Sequence, residues 1–159
     1  MNFCPNCATA LAEVVINEES RRACPSSACD FVHWDNPTPV VAMIVEVDGG
    51  VVMAHNVAWP DTFYSIITGF LEAGEDPCEC AIRETKEELG LTADHTELVG
   101  VYGFAEQNQV IIAYHVMAAG EIVLNEELDA YKIVAPADIQ PWPMGTGLAL
   151  SDWLSRSKK

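Results

Sequence analysis

Positive charge is scarce in this sequence: 8 lysines and arginines stand against 24 aspartates and glutamates, for a formal net charge of −16 over 159 residues. The basic residues sit mostly at the edges, Arg21 and Arg22 near the start and Arg156, Lys158 and Lys159 at the end, with only Arg83, Lys86 and Lys132 between. A long nucleic acid needs a track of cations to displace its counterions, and none is visible, so no long nucleic acid is expected as a partner. A small phosphorylated ligand stays compatible, provided that bound metal supplies the charge the side chains do not. Long apolar runs are missing too. None approaches the ~18 residues of a membrane span, and the start, MNFCPNCA, lacks the charged and apolar regions of a signal peptide. The expectation is a soluble, cytoplasmic protein without membrane contact. Internal repeats and low-complexity tracts are absent, and the length suits one ordinary domain plus a small appendage.

Four of the six cysteines are packed into that appendage as a CxxC and a CxxxxC: Cys4, Cys7, Cys24 and Cys29. Four thiolates on two tight knuckles suit a tetrahedral, structural Zn²⁺, and residues 11–23 between them read as a hairpin. Disulfides would need an oxidising compartment that nothing here suggests. The segment looks like a zinc ribbon, assigned to residues 1–35, and Asn36-Pro37 opens a second domain, 36–159. Cys78 and Cys80 lie two apart on an expected helix and point to different faces, which argues against a shared metal or bond.

The stretch from Gly69 to Leu91, GFLEAGEDPCECAIRETKEELGL, is the strongest chemical signal. Asp76, Pro77 and Glu79 read as a helix start, and Gly90 as its stop. Cys78, Ile82, Thr85 and Leu89 share a narrow arc and are the expected packing face, with Glu84, Glu87 and Glu88 projecting from roughly the opposite side. Like charges four apart, and anions at a helix C-terminus, oppose folding. Local rules of this kind break at functional sites, and the simplest compensation for converging carboxylates is a hard divalent cation, Mg²⁺ first.

With Gly69, Glu75 and the run Arg83 to Leu91 at these spacings, the stretch resembles the Nudix box, Gly-x5-Glu-x7-Arg-Glu-U-x-Glu-Glu-x-Gly-U, with Thr85 where an aliphatic residue is usual. The resemblance implies hydrolysis of a nucleoside diphosphate linked to another moiety, with Mg²⁺ or Mn²⁺ held by Glu84, Glu87, Glu88 and the Gly69 carbonyl, one glutamate activating water and Arg83 orienting a glutamate. Cys4 through Leu91 is similar to the zinc-ribbon Nudix group, which includes NADH pyrophosphatases, and the ADP-ribose pyrophosphatase-like members are the other comparison. Phe70 is the expected base contact, Tyr102 and Phe104 are candidates for the same pocket, and Glu127, ahead of Glu106, is the candidate metal ligand outside the box. The Ser-Gln-Pro-Trp-Pro-Phe-Pro run of the NADH-cleaving members is replaced by residues 101–107, and Gln140-Pro141-Trp142-Pro143-Met144 reads as a linker before the last helix. ADP-ribose, NADH, FAD and nucleotide sugars are the expected substrate class, with a nucleoside triphosphate also open, and a homodimer is expected by analogy. The alternative is a non-catalytic nucleotide-metabolite sensor with a Nudix-like pocket.

In chain order, residues 40–47 and 51–54 read as a hairpin about Asp48-Gly49-Gly50. Strands follow at 63–68, 96–104, 110–118, 122–124 and 131–135, with an acidic loop at 126–130 and a helix at 148–156. The fold class is α/β: a mixed sheet between helical layers, as the α/β/α sandwich of the Nudix resemblance implies, preceded by the small zinc ribbon.

Overall fold

The computed structural model describes residues 1–60 and 62–156; Asp61 of the Trp59–Thr62 loop and the terminal Lys158 and Lys159 lie outside the described residues. The chain divides into two units, Met1–Asn36 and a second unit from Pro37 onward.

In the first unit β1 (Ala12–Ile16), β2 (Glu19–Ala23) and β3 (Val32–His33) form an antiparallel sheet in that order. Asn17 and Glu18 at the β1–β2 turn both take positive φ, 52° and 70°. That is the twist a two-residue hairpin needs. One cysteine pair precedes β1 and the other lies between β2 and β3.

The second unit is built on β4 (Thr38–Val47), whose β-branched run leaves Val40 to Val45 buried on both faces. Its companions are β5 (Gly50–Asn56), β6 (Ile67–Phe70), β7 (Thr92–Phe104), β8 (Gln109–Ala119) and β9 (Leu128–Val134). The sheet runs β7-β8-β4-β5-β9, with β4 and β8 parallel and the other pairs antiparallel. Alternation along β4 divides the core. Val41, Met43 and Val45 face the helix α1 (Pro77–Leu89), while Ala42 and Ile44 face α2 (Thr146–Arg156). A helix on each face of a mixed sheet is the expected sandwich.

One edge of β4 is shared. β6 pairs with its first half, Val41 opposite Gly69, and β5 with its far end, Val47 opposite Gly50. The two partners therefore part company, and a cleft opens where they do. The hairpin turn narrows to Asp48 and Gly49, at φ 52° and 78°, and Gly50 already belongs to β5.

Three expectations are corrected. Residues 122–124 form no strand: the Val123 and Asn125 amides donate instead to the Leu89 and Glu88 carbonyls, which the end of α1 leaves without intrahelical partners. The acidic segment shrinks to a turn at Glu126 and Glu127, because β9 starts at Leu128. The strand delivering Gly69 starts at Ile67 rather than at residue 63, and Ser65 contributes a single bridge to Ala54. No helix among the described residues is long and apolar enough to cross a membrane.

Candidate active site

Helix α1 starts and stops where its capping chemistry indicates. Asp76 accepts from the Cys78 amide, Pro77 takes the first position, and Gly90 at φ 70° donates to the Lys86 carbonyl. Its buried face, however, is rotated from the expected arc. Cys80, Ala81, Thr85, Glu88 and Leu89 are buried, whereas Ile82 is 42% exposed. The small side chains of Cys80 and Ala81 let the helix settle closely on that side, and the rotation carries two of the glutamates inward. Thr85 fits this face because its hydroxyl donates to the Ala81 carbonyl at 2.7 Å, so no buried donor is left unmatched.

Glu84 and Glu88 thus lie at the edge of the core, not opposite it. The Glu84 carboxyl group packs on the backbone of Gly69, where any β-carbon would overlap it. Glu88 is 7% exposed and, with Glu127, lines the cleft between β5 and β6, beside Thr68 and Trp59. Burial, joined by the charges of Glu84, Glu127 and Glu87, pushes the Glu88 carboxyl up to about 8. Burial raises Glu84 as well, although the Arg83 guanidinium acts against it. Glu87 is the exposed member.

Arg83 ties the group together. Its Nε and Nη2 donate to the two Glu75 carboxylate oxygens at 2.7 and 3.0 Å, and Nη1 donates to Glu84 at 2.9 Å and Glu87 at 3.0 Å. The forked pair holds the Glu75 carboxyl down at about 2. Glu75 also accepts from the Glu72 amide at 3.0 Å, which closes the loop between β6 and α1. An oxygen-only donor set of crowded carboxylates fits a hard divalent cation.

A family model described as NUDIX domain matches residues 36–150. The chain belongs to the Nudix family. The NAD-capped RNA hydrolase NudC of Pseudomonas putida is 26% identical over 149 residues, 92% of this chain and 52% of that protein. Its Pseudomonas aeruginosa counterpart is 28% identical over 126 residues, 79% of this chain and 44% of that one. The chain therefore spans about half the length of the curated relatives it matches. The crystal structure of a NUDIX hydrolase from Nitrosomonas europaea aligns with a TM-score of 0.81 at 22% identity, over 99% of this chain and 93% of that one. An ADP-ribose pyrophosphatase from Streptococcus suis aligns at 0.64 and 17% identity, over 78% and 94%. Both likenesses speak to the fold.

Within the Nudix unit the remaining candidates separate. Phe70 is 62% exposed at the end of β6, next to Gly69, and its carbonyl accepts from Arg83 at 3.4 Å. Tyr102 and Phe104 are not gathered with the carboxylates: both pack in the cluster on the α2 face, and the Tyr102 hydroxyl donates to Asp152 at 2.9 Å. Glu106 is exposed in the short turn between β7 and β8. Trp59 went unnoticed in the sequence, where a tryptophan beside a proline carries only a loop signal. Glu75 was visible as a box position, but its grip on Arg83 was not.

In the first unit Cys4 and Cys29 place their sulfurs 3.6 Å apart, Cys7 and Cys24 3.5 Å, and all four lie within 4.8 Å of one another. A tetrahedral ZnS₄ centre with ~2.3 Å bonds has sulfurs about 3.8 Å apart, so the cluster fits Zn²⁺. Cys78 is half-buried and Cys80 buried, its sulfur 3.6 Å from the Phe70 carbonyl. Burial pushes the Cys80 thiol up to about 12, that of an inert packing residue.

Proposed function

We propose that this chain is a divalent-cation-dependent pyrophosphohydrolase that splits the diphosphate of a nucleoside diphosphate joined to another moiety. The observation that supports this reading most is the gathering of Glu84, on the Gly69 backbone, with Glu88 and Glu127 in the adjoining cleft, and Arg83 restraining Glu84 and Glu87. A binding-only pocket has no need of so many carboxylates in a cleft where they oppose one another.

Gly69, Glu84, Glu87, Glu88 and Glu127 would hold Mg²⁺ or Mn²⁺, which when bound offsets the diphosphate charge and makes water easier to deprotonate. The Glu88 carboxylate, which lines the cleft with Glu127, accepts the proton as water attacks phosphorus. The bridging P–O bond breaks, and a nucleoside monophosphate and a second phosphorylated product leave. Arg83 keeps Glu84 and Glu87 aimed, and Phe70 exposes its ring beside Gly69.

The relatives' names point to diphosphates of the NAD cap and ADP-ribose kind. A capped RNA fits the scarcity of cations if only its capped end enters the site. The same reading gives the first unit a structural Zn²⁺ on Cys4, Cys7, Cys24 and Cys29, and pairs two chains into a homodimer. A panel of NADH, ADP-ribose, FAD, nucleoside diphosphate sugars and NAD-capped RNA, with Mg²⁺ or Mn²⁺ and chromatographic resolution of products, tests the activity. Release of a nucleoside monophosphate only when metal is present is the expected result. Silence across the whole panel would overturn the reading.

A further inference from the structure

The cations in the middle of this acidic chain are used very differently. Arg83 is committed to Glu75, Glu84 and Glu87, and Lys86 is exposed in the last turn of α1. Lys132 on β9 instead holds its ammonium 3.7 Å from the centroid of the Tyr64 ring, and among the described residues it makes no ion pair. It borders a concavity on the α2 face walled by Phe63, Tyr64 and Trp142, with Gln140 and Asp138 also on its lining. The concavity encloses about 300 Å³, the lower end of the range of small-molecule sites.

A row of rings leads there from the acidic cleft. Trp59 lines the cleft with Glu88 and Glu127. Its ring meets Phe63 edge-on at 5.1 Å, and Phe63 meets Trp142 at 6.0 Å. Pro60, next to Trp59, is held by His55, whose Nε2 lies 3.1 Å from the Pro60 carbonyl and whose Nδ1 lies 2.5 Å from the Asp129 carboxylate.

An apolar ligand has no use for an ammonium, and a bare phosphate has no use for three rings. Rings and ammonium together suit a flat base carrying an anion. The diphosphate to be split belongs with the carboxylates and their metal, so an anion taken up by Lys132 would be a different phosphate on the same nucleoside.

We propose that this concavity holds the nucleoside end of the substrate and that Lys132 receives a further phosphate carried on the ribose 2′ or 3′ oxygen. The placement of the diphosphate rests on the hydrolase reading above; the concavity and its chemistry do not. The test accordingly avoids the acidic cleft: the full chain, with divalent ions chelated, is titrated by calorimetry with adenosine, adenosine 2′-monophosphate and adenosine 3′-monophosphate. One monophosphate is expected to bind about tenfold tighter than adenosine, as one charge-assisted contact implies, and the preferred isomer identifies the oxygen. Lys132→Met should abolish the preference, Lys132→Arg should keep it, and Trp142→Ala should weaken all three ligands. Equal affinity for the three ligands, or a preference untouched by Lys132→Met, would overturn the proposal. Hydrolysis without any such preference sinks this inference and leaves the hydrolase standing. Phosphate-selective binding in a chain that hydrolyses nothing does the reverse.

Discussion

Glu84 lays its carboxyl group over the backbone of Gly69, and the contact is so close that the glycine has no room for a side chain. Gly69 sits on β6 and Glu84 on α1, so this contact sets the distance between strand and helix at the site. A methyl group there must push the carboxylate away or lift the helix. Gly69→Ala is expected to destabilise the fold by about 1–3 kcal/mol, the usual cost of overpacking. Turnover should fall further, by about 10²-fold, because a displaced carboxylate no longer meets metal and diphosphate together. Denaturation midpoints and steady-state kinetics on the same preparation separate the two effects. Wild-type turnover in a stable Gly69→Ala chain would deny the contact any role.

Glu88 makes a prediction with a sign. Its carboxyl, pushed up to about 8 from an ordinary 4.5, holds a proton in the folded metal-free chain that the unfolded chain has already lost. Between pH 4.5 and 8 the folded state binds more protons, so stability from this group is full at the acid end and declines as pH rises, levelling off above 8. Glu88→Gln removes the slope. In chelator, the variant should match the parent near pH 5 and exceed it near pH 9, while metal-dependent turnover drops by at least about 10²-fold. Urea titrations across this range check the first part. A parent and variant with parallel stability profiles would refute it.

Much of this was legible from local chemistry. Asp76, Pro77 and Gly90 mark the ends of α1 because caps are short-range, and the run Val40 to Val47 marks a doubly buried strand because it is short, apolar and rich in β-branched residues. The burial of Glu88 was not legible. An arc drawn through the larger apolar side chains places Ile82 inside and Glu88 outside, and the helix turns instead on Cys80 and Ala81, whose small size matters only against a neighbouring sheet. Residues 122–124 carried a strand-like composition, yet their backbone partners are the last carbonyls of α1, which only the fold brings near. Trp59 and Lys132 acquire meaning from the pockets they border and from nothing in their own flanks.

Arg83→Lys should behave as a loss rather than a conservative change. A lysine offers one point charge where the guanidinium reaches Glu75, Glu84 and Glu87 at once. Glu75, held at about 2 by Arg83, contributes stability that is present above its ordinary 4.5 and fades as pH falls toward 2. In Arg83→Lys that acid-side loss should flatten, and the Glu75 carboxyl, followed by NMR, should titrate closer to 4.5. Glu84 and Glu87, no longer aimed, should raise the metal concentration needed for half-maximal turnover by about tenfold. An unchanged metal requirement would show that Arg83 serves only the loop at Glu75.

The first unit should depend on zinc for its order. Among its described residues only Cys4 and Ala23 are buried, and Val14 and Val15 point outward, so there is too little apolar core to hold three short strands together. Metal binding then supplies the folding free energy. Elemental analysis should find one zinc per chain, lost in Cys24→Ser. Hydrogen exchange should show the amides of Ala12–Ile16 and Glu19–Ala23 losing protection in that variant while those of β4 keep theirs, because Val40 to Val45 are buried in a core of their own. If Cys24→Ser leaves the β1 and β2 amides protected, or the parent chain carries no zinc, the cysteine cluster is packing rather than a metal centre.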